Sequence, residues 1–282
     1  MNNGCNVHEM MNVDSSFSAV SAPTPRVRIE AVASGLPHDE RPRPGFIHLW
    51  RTQTAHLRPL ADVLETTLSP EERERQARFV RAEDRQRFGL FRGFLREVLG
   101  AMVQTEPAAL RFILEPGGKP GLDAKTHPGA PAFNVSHSGD VFVAAFACGG
   151  AIGVDVEQVD RRTDVSGVAR HSFHPHEYAH IAAADDARQR ALFFRWWTAK
   201  EAVLKASGAG IGAGLARLDF SAWVDEPCAV IRDVNQRAWT VWHYGADGVA
   251  ASLAASTPFT AVRVRETSGP GTASGELITR SS

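Results

Sequence analysis

The sequence predicts an α/β (α+β) protein whose two halves each set strands beside a long helix. Three observations carry that reading. Phe88, Phe91, Leu95, Val98 and Met102 recur at spacings of three and four, the period of one helix face, over about residues 82–103. Apolar runs at 132–135 and 141–146, rich in Val, Phe and Ala, have the length and composition of buried strands. A second helical stretch, from about His176 to Ser207 in at least two pieces, precedes strand-like runs near 218–220, 238–242, 249–253 and 260–264. Strands plus a long helix therefore occur twice, which hints at duplication, although no internal repeat is evident.

The elements follow in order. Residues 1–44 are rich in Ser, Pro, Asn and Ala, and Pro37-His38-Asp39-Glu40-Arg41-Pro42-Arg43-Pro44 suits neither a helix nor a central strand. This segment is expected to be a disordered N-terminal tail. An N-terminal α/β half spans 45–150. It opens with the strand Phe46-Ile47-His48-Leu49-Trp50. Ser69-Pro70-Glu71-Glu72 then has the form of a helix start, with Ser as N-cap, Pro at N1 and acids in the first turn. Arg111–Leu114 reads as a strand, 115–120 as a turn, and Ser136-His137-Ser138-Gly139-Asp140 as a tight connection between two buried strands. Gly149-Gly150 reads as a hinge. A C-terminal half follows over 151–265, with Gly208 as the C-cap candidate of its helix, and 266–282 is expected to be a flexible tail.

A formal net charge of −1 gives no global attraction to nucleic acid or an anionic membrane, so any basic site must be local. Cys5, Cys148 and Cys228 match no metal or redox spacing, which fits a reducing, cytoplasmic compartment. There is no basic region followed by an apolar run at the start, and no apolar stretch approaches the ~20 residues that span a bilayer.

Chemistry concentrates in two stretches. In Gly153-Val154-Asp155-Val156-Glu157, alternation on a strand puts Asp155 and Glu157 on one face. In Trp197-Thr198-Ala199-Lys200-Glu201-Ala202-Val203-Leu204-Lys205, Trp197, Glu201 and Lys205 share one helical stripe. A solvated edge strand and a surface Glu–Lys pair are the ordinary explanations of such residues. Apolar flanks on both stretches, including Phe193, Phe194 and Trp196, argue against them. Two acids at the end of a buried strand repel unless a cation neutralises them. Asp155, Glu157 and Glu201 therefore offer three hard oxygen ligands suited to Mg²⁺, with Lys205 suited to a neighbouring phosphate.

Asn134-Val135-Ser136-His137-Ser138-Gly139 lacks a nucleophile elbow, and contact of Ser136 and His137 with an anion is the better expectation. The arginines from Arg73 to Arg92 are interleaved with acids, which describes an ion-paired surface from which some reach a phosphate. His171, His174, His176 and His180 follow no common zinc spacing, so zinc is disfavoured. The glycines from Gly208 to Gly212 follow a helix C-terminus, where the dipole repels phosphate.

The order F-N-x-S-H-S-G, G-x-D-x-E, W-x-x-K-E-A-x-x-K resembles the Sfp-type 4′-phosphopantetheinyl transferases, over about residues 45–265. Gly118-Lys119-Pro120, Ser69 to Glu74, and Phe173 with Glu177 match weaker family features. The resemblance implies two similar α/β halves related by a pseudo-twofold axis, with coenzyme A in the cleft between them, so that a monomer completes a site. It implies Mg²⁺-dependent transfer of 4′-phosphopantetheine to a serine of an acyl or peptidyl carrier protein, releasing 3′,5′-ADP. Asp155, Glu157 and Glu201 would be the metal ligands, Glu201 and Lys205 the catalytic residues, and Lys119, Ser136 and His137 coenzyme A contacts. Glu72 departs from the lysines many members place in that segment, leaving Arg75 and Arg87 as candidates for the 3′-phosphate. Another Mg²⁺-dependent phosphotransferase, and a non-catalytic coenzyme A or carrier-protein binding module, are the competing expectations.

Overall fold

The computed structural model describes residues 20–32, 41–115, 118–160, 162–210, 214–246 and 248–267. In chain order the strands are β1 (Val20–Ser21), β2 (Arg26–Val32), β3 (Phe46–Gln53), β4 (Phe112–Leu114), β5 (Pro120–Leu122), β6 (Ala132–Ser138), β7 (Val141–Ala147), β8 (Ile152–Gln158), β9 (Cys228–Arg232), β10 (Ala238–Ala246), β11 (Val249–Ala255) and β12 (Ala261–Thr267). The helices are α1 (Thr54–Leu57), α2 (Ala61–Thr66), α3 (Pro70–Ala77), α4 (Ala82–Val103), α5 (Val165–Ser172), α6 (Pro175–Ala183) and α7 (Asp186–Ser207). One sheet has the order β2-β12-β3-β7-β6 and a second the order β1-β9-β10-β11-β8, with β4 and β5 forming a small ribbon.

Alternation along the strands explains the layering. On β7, Val141, Val143, Ala145 and Ala147 join Ile47, Leu49, Val154, Val156, Trp242 and Leu253 in a core shared by the two sheets. Phe142, Ala144 and Phe146 face the other way and pack with Leu90, Phe94, Leu95 and Val98 of α4. On β11, Ala251 and Leu253 face the shared core, whereas Ala250 and Ala254 pack in a cluster with Phe193, Trp196 and Val203 of α7. Both faces of β7 and β11 are buried, which is why their sequences read as continuous apolar runs. Each sheet thus carries a 22-residue helix on its outer face.

The helix signals translate directly. Ser69 caps α3 in a reciprocal box: its hydroxyl accepts from Glu72 N, and Glu72 Oε2 accepts from Ser69 N at 3.0 Å. Gly208 closes α7 at φ +71°, a left-handed conformation that costs other residues more.

Three expectations are corrected. Residues 26–32, read as tail, form β2, which runs parallel to β12. Arg26-Val27-Arg28-Ile29-Glu30 alternates polar and apolar residues, the local signal of a half-buried strand, inside a segment otherwise rich in Ser, Pro, Asn and Ala. Residues 218–220 are not a strand; they follow a short 3-10 turn, and Phe220 N donates to Glu177 instead. Ser136, His137 and Ser138 are not loop: β6 continues through them, paired with Val143, Phe142 and Val141, and Gly139-Asp140 alone makes the turn. Gly139 takes φ +53° there, as a two-residue hairpin demands. The strand at the end of the second half also returns to the first sheet, where β12 pairs parallel with β3. Residues 1–19, 33–40 and 268–282, parts of the two expected tails, lie outside the described residues. No described helix is long and apolar enough to cross a membrane.

Candidate active site

Strands β6 and β8 are the neighbouring edges of the two sheets, and side chains rather than a backbone ladder join them. Asn134, Ser136 and Ser138 occupy alternate positions on β6 and so point the same way. Asn134 Oδ1 accepts from Val154 N at 2.9 Å, and Ser138 Oγ accepts from Gln158 N at 3.1 Å. Ser136 Oγ donates to Asp155 Oδ1 at 2.8 Å and Ser138 Oγ to Glu157 Oε2 at 2.7 Å. The polar residues of β6 thus satisfy an exposed strand edge and hold both β8 acids.

Gly153 brings the third element in. A methyl at this position would lie 2.0 Å from the Ala202 carbonyl oxygen and 2.6 Å from Ala206 N. Only glycine lets α7 lie so close on β8. The approach sets Glu201 and Lys205 beside Asp155: Lys205 Nζ donates to Asp155 Oδ1 at 2.5 Å and to Ser136 Oγ at 2.9 Å. Trp197, one turn before Glu201, lies near enough to Glu157 to oppose the rise of its carboxyl pKa.

Burial pushes the carboxyls of Asp155, Glu157 and Glu201 above the usual carboxylate range. For Glu201 the charges of Asp155 and Glu157 add to burial, so the three groups sense one another. Lys205 opposes the rise in all three. Asp155 Oδ2 is buried and has no hydrogen-bond partner. The three carboxylates do not close to within 4.8 Å of one another; among the described residues only His174, His176 and Asp219 do so.

The expected anion contacts divide between two faces of β6. His137 alternates away from Ser136 and packs at a tilt beside Phe91, with ring centroids 5.8 Å apart. It lines a cleft of about 520 Å³ together with Arg75, Arg87, Phe88 and Arg92. Burial first, then the charges of Arg87 and Lys205, hold the His137 imidazole below its ordinary pKa. Arg87 donates to Asp84 at 2.9 Å and to the Gly139 carbonyl at 3.1 Å, and its Nε has no partner. Arg75 lies over the Phe88 ring at 5.3 Å. Lys119 does not line this cleft, although Gly118 and Pro120 do; its Nζ donates to the Ile152 carbonyl at 2.6 Å, beside the start of β8. Burial lowers its pKa.

Glu72 is turned to structure. It accepts from Arg92 and, at 2.6 Å, from Arg96, while capping α3. Asn134 and Ser138 carry no role in the sequence expectation; the N-x-S-x-S alternation, divided there between a strand and a tight connection, was the available signal. Arg92, one of the arginines expected to be ion-paired or to reach a phosphate, pairs with Glu72 and lies over the Phe112 ring at 3.7 Å.

Two packed sheets with acids at their junction define the class of this α/β protein. Residues 151–256 match the family model of the 4′-phosphopantetheinyl transferase superfamily, and residues 49–148 match that of the 4′-phosphopantetheinyl transferase N-terminal region. The chain is 36% identical over 181 residues to the 4′-phosphopantetheinyl transferase HetI of Nostoc, covering 64% of this chain and 76% of that one. It is 29% identical over 259 residues to a phosphopantetheinyl transferase of Thraustochytrium, covering 80% and 89%. With the 4′-phosphopantetheinyl transferase Sfp of Bacillus subtilis it shares 32% over 150 residues, covering 52% and 63%. The chain belongs to the 4′-phosphopantetheinyl transferase superfamily.

Proposed function

We propose that the protein transfers the 4′-phosphopantetheine arm of coenzyme A to a serine hydroxyl of an acyl or peptidyl carrier protein, with 3′,5′-ADP as the other product. Family membership supports the reaction class, and the junction of β6, β8 and α7 supplies the chemistry. The two sheet-and-helix halves are read as pseudo-twofold related, one bringing the cleft and the other the acids.

The single observation that carries the reading is Asp155. Its carboxylate is buried, one oxygen held by Ser136 and Lys205, the other without a partner. A buried oxygen left in that state is costly unless a ligand completes it. The donor set is all carboxylate, which suits a hard divalent cation. Asp155, Glu157 and Glu201 would hold Mg²⁺. When bound, the ion neutralises charge on the pyrophosphate and on the leaving oxygen.

The side chains do the rest. Lys205 places a positive charge next to Asp155, where it stabilises the negative charge that develops as the phosphoanhydride bond breaks. Glu201 accepts the serine proton directly or through a water. Ser136 fixes the Asp155 rotamer. In the 520 Å³ cleft, Arg75, Arg87 and His137 receive the 3′-phosphate end, and Phe79, Phe88 and Phe91 offer apolar faces beside them. Lys119 lies at the start of β8 as a further phosphate contact.

Incubation with coenzyme A, Mg²⁺ and an apo carrier domain tests the proposal. The expected result is a carrier heavier by one phosphopantetheine arm in the mass spectrum. Phosphate release from a nucleoside triphosphate with no carrier present would favour another phosphotransferase. Coenzyme A binding with an unchanged carrier would favour a binding module.

A further inference from the structure

His174 and His176 flank the start of α6, and the fold brings Asp219 to them from the segment after the 3-10 turn at 215–217. The four-histidine spacing of the sequence does not assemble. His171 Nδ1 contacts the Gly167 carbonyl at 2.8 Å, and His180 packs edge-on against Trp196. Two of the four instead meet a carboxylate that no sequence spacing connects to them. The Nδ1 atoms of His176 and His174 lie 3.1 Å and 3.4 Å from the same oxygen, Asp219 Oδ2. We propose that His174, His176 and Asp219 form a binding site for one zinc-class transition-metal ion, separate from the acidic cluster.

The spacing fits the chemistry. A tetrahedral zinc with nitrogen and oxygen arms of about 2.0–2.1 Å has edges of roughly 3.3 Å. Both measured separations fall close to that edge. Two imidazoles and one carboxylate are the protein donors of open zinc sites, which leave a fourth position to water. They suit zinc and its neighbours and not Mg²⁺, whose preference for oxygen assigns it to the other cluster.

The surroundings are prepared as a supporting shell. Asp219 Oδ1 accepts from Ser221 N at 2.9 Å, which fixes the carboxylate and leaves Oδ2 to the histidines. His174 Nδ1 faces His176 N at 3.4 Å, a long contact that an ion readily replaces. The α6 N-terminus opposes a cation weakly, and the Asp219 charge offsets it. Lys200, whose charge also reaches His174, is neutralised by Glu177. His176 and Ser221 line an open cavity of about 580 Å³, which provides an entry path.

Such an ion ties the start of α6 to the 215–221 segment and leaves its fourth position to water. The test uses the full chain stripped with chelator and kept in excess Mg²⁺, so that the acidic cluster is saturated. Zn²⁺ is titrated in competition with a chromophoric chelator. One Zn²⁺ per chain is expected, with the melting temperature rising on binding. His176→Gln, at an exposed position, and His174→Asn, which keeps an N-cap residue, should each weaken binding roughly tenfold or more. Asp155→Asn should leave it unchanged. Absence of Zn²⁺ uptake by the parent protein overturns the proposal, as does equal affinity in the parent and His176→Gln. Loss of uptake in Asp155→Asn would move the ion to the acidic cluster and overturn it as well.

Discussion

Lys205 Nζ and Asp155 Oδ1 lie 2.5 Å apart, joining α7 to β8 at the point where the edges of the two sheets meet. Asp155 is almost fully buried and Lys205 is partly open to solvent. The pair therefore positions a positive charge at the mouth of an acidic pocket. Lys205→Met should lower kcat by roughly 100-fold or more, the loss typical of removing one preorganised charge donor, with a smaller change in KM for coenzyme A. Steady-state kinetics with varied coenzyme A checks this. An unchanged kcat would remove Lys205 from the chemistry.

The acidic cluster makes an opposite prediction for stability. Glu201 has its carboxyl raised in the folded state, so its contribution is present at low pH and is lost as pH rises through that raised value. Glu201→Gln should therefore abolish transfer while leaving the melting temperature at neutral pH equal to or above the parent's. Mg²⁺ should raise the melting temperature of the parent and not of the variant. Calorimetry with and without Mg²⁺ reads both effects. A variant that is inactive because it melts earlier would assign Glu201 to the fold instead.

The cleft residues should separate from the acids kinetically. Arg75→Ala and Arg87→Ala remove cations from the region proposed to hold the 3′-phosphate. Each should raise KM for coenzyme A with kcat little changed, and the penalty should shrink for 3′-dephospho-coenzyme A. An equal penalty with both substrates would place the 3′-phosphate elsewhere.

Lys200 and Lys205 sit on the same helix five residues apart and have opposite fates. Lys200 is fully buried, with Nζ 2.8 Å from Glu177 Oε2 and bonded to the Leu215 and Leu218 carbonyls. Breaking a buried pair from one side leaves an uncompensated charge and typically costs about 3–5 kcal/mol. Lys200→Met should lose stability on that scale in urea unfolding, and Lys200→Met with Glu177→Gln should recover part of it. No recovery in the double variant would show that the pair is not the cause.

These two lysines mark what the sequence could reveal. Periodicity placed α4 over residues 82–103 and the strands of both buried ladders, because those patterns are local. Alternation and helical spacing put Asp155 with Glu157, and Glu201 with Lys205, on shared faces. Neither pattern says which helix face meets which strand. That is decided by Gly153, whose missing Cβ admits α7, and by the shared core between the sheets. Strand β2 is legible in the alternation of Arg26 to Glu30, whereas its parallel place beside β12, remote in sequence, is not. Glu72 reads as part of a solvated surface, yet it is buried under Arg92 and Arg96 contacts from α4.

His243 carries the last expectation. It stands on β10, where its Nδ1 lies 3.0 Å from Ser252 Oγ, and Ser252 Oγ lies 2.8 Å from Thr198 Oγ1 on α7. The chain of contacts ties two strands to the helix that bears Glu201 and Lys205. Burial, with a smaller push from Arg195, lowers the imidazole pKa to about 3. The unfolded value is about 6.5. The folded state therefore keeps His243 neutral, and its contribution is complete above the unfolded pKa and is lost progressively as pH falls toward the folded one. This group alone can steepen the fall of stability by at most about 1.4 kcal/mol per pH unit. His243→Gln retains a polar partner for Ser252 without the titration, so its stability profile between those two pH values should be flatter than the parent's. Chemical denaturation across that range measures it, and parallel profiles for the two proteins would show that another group governs the acid limb.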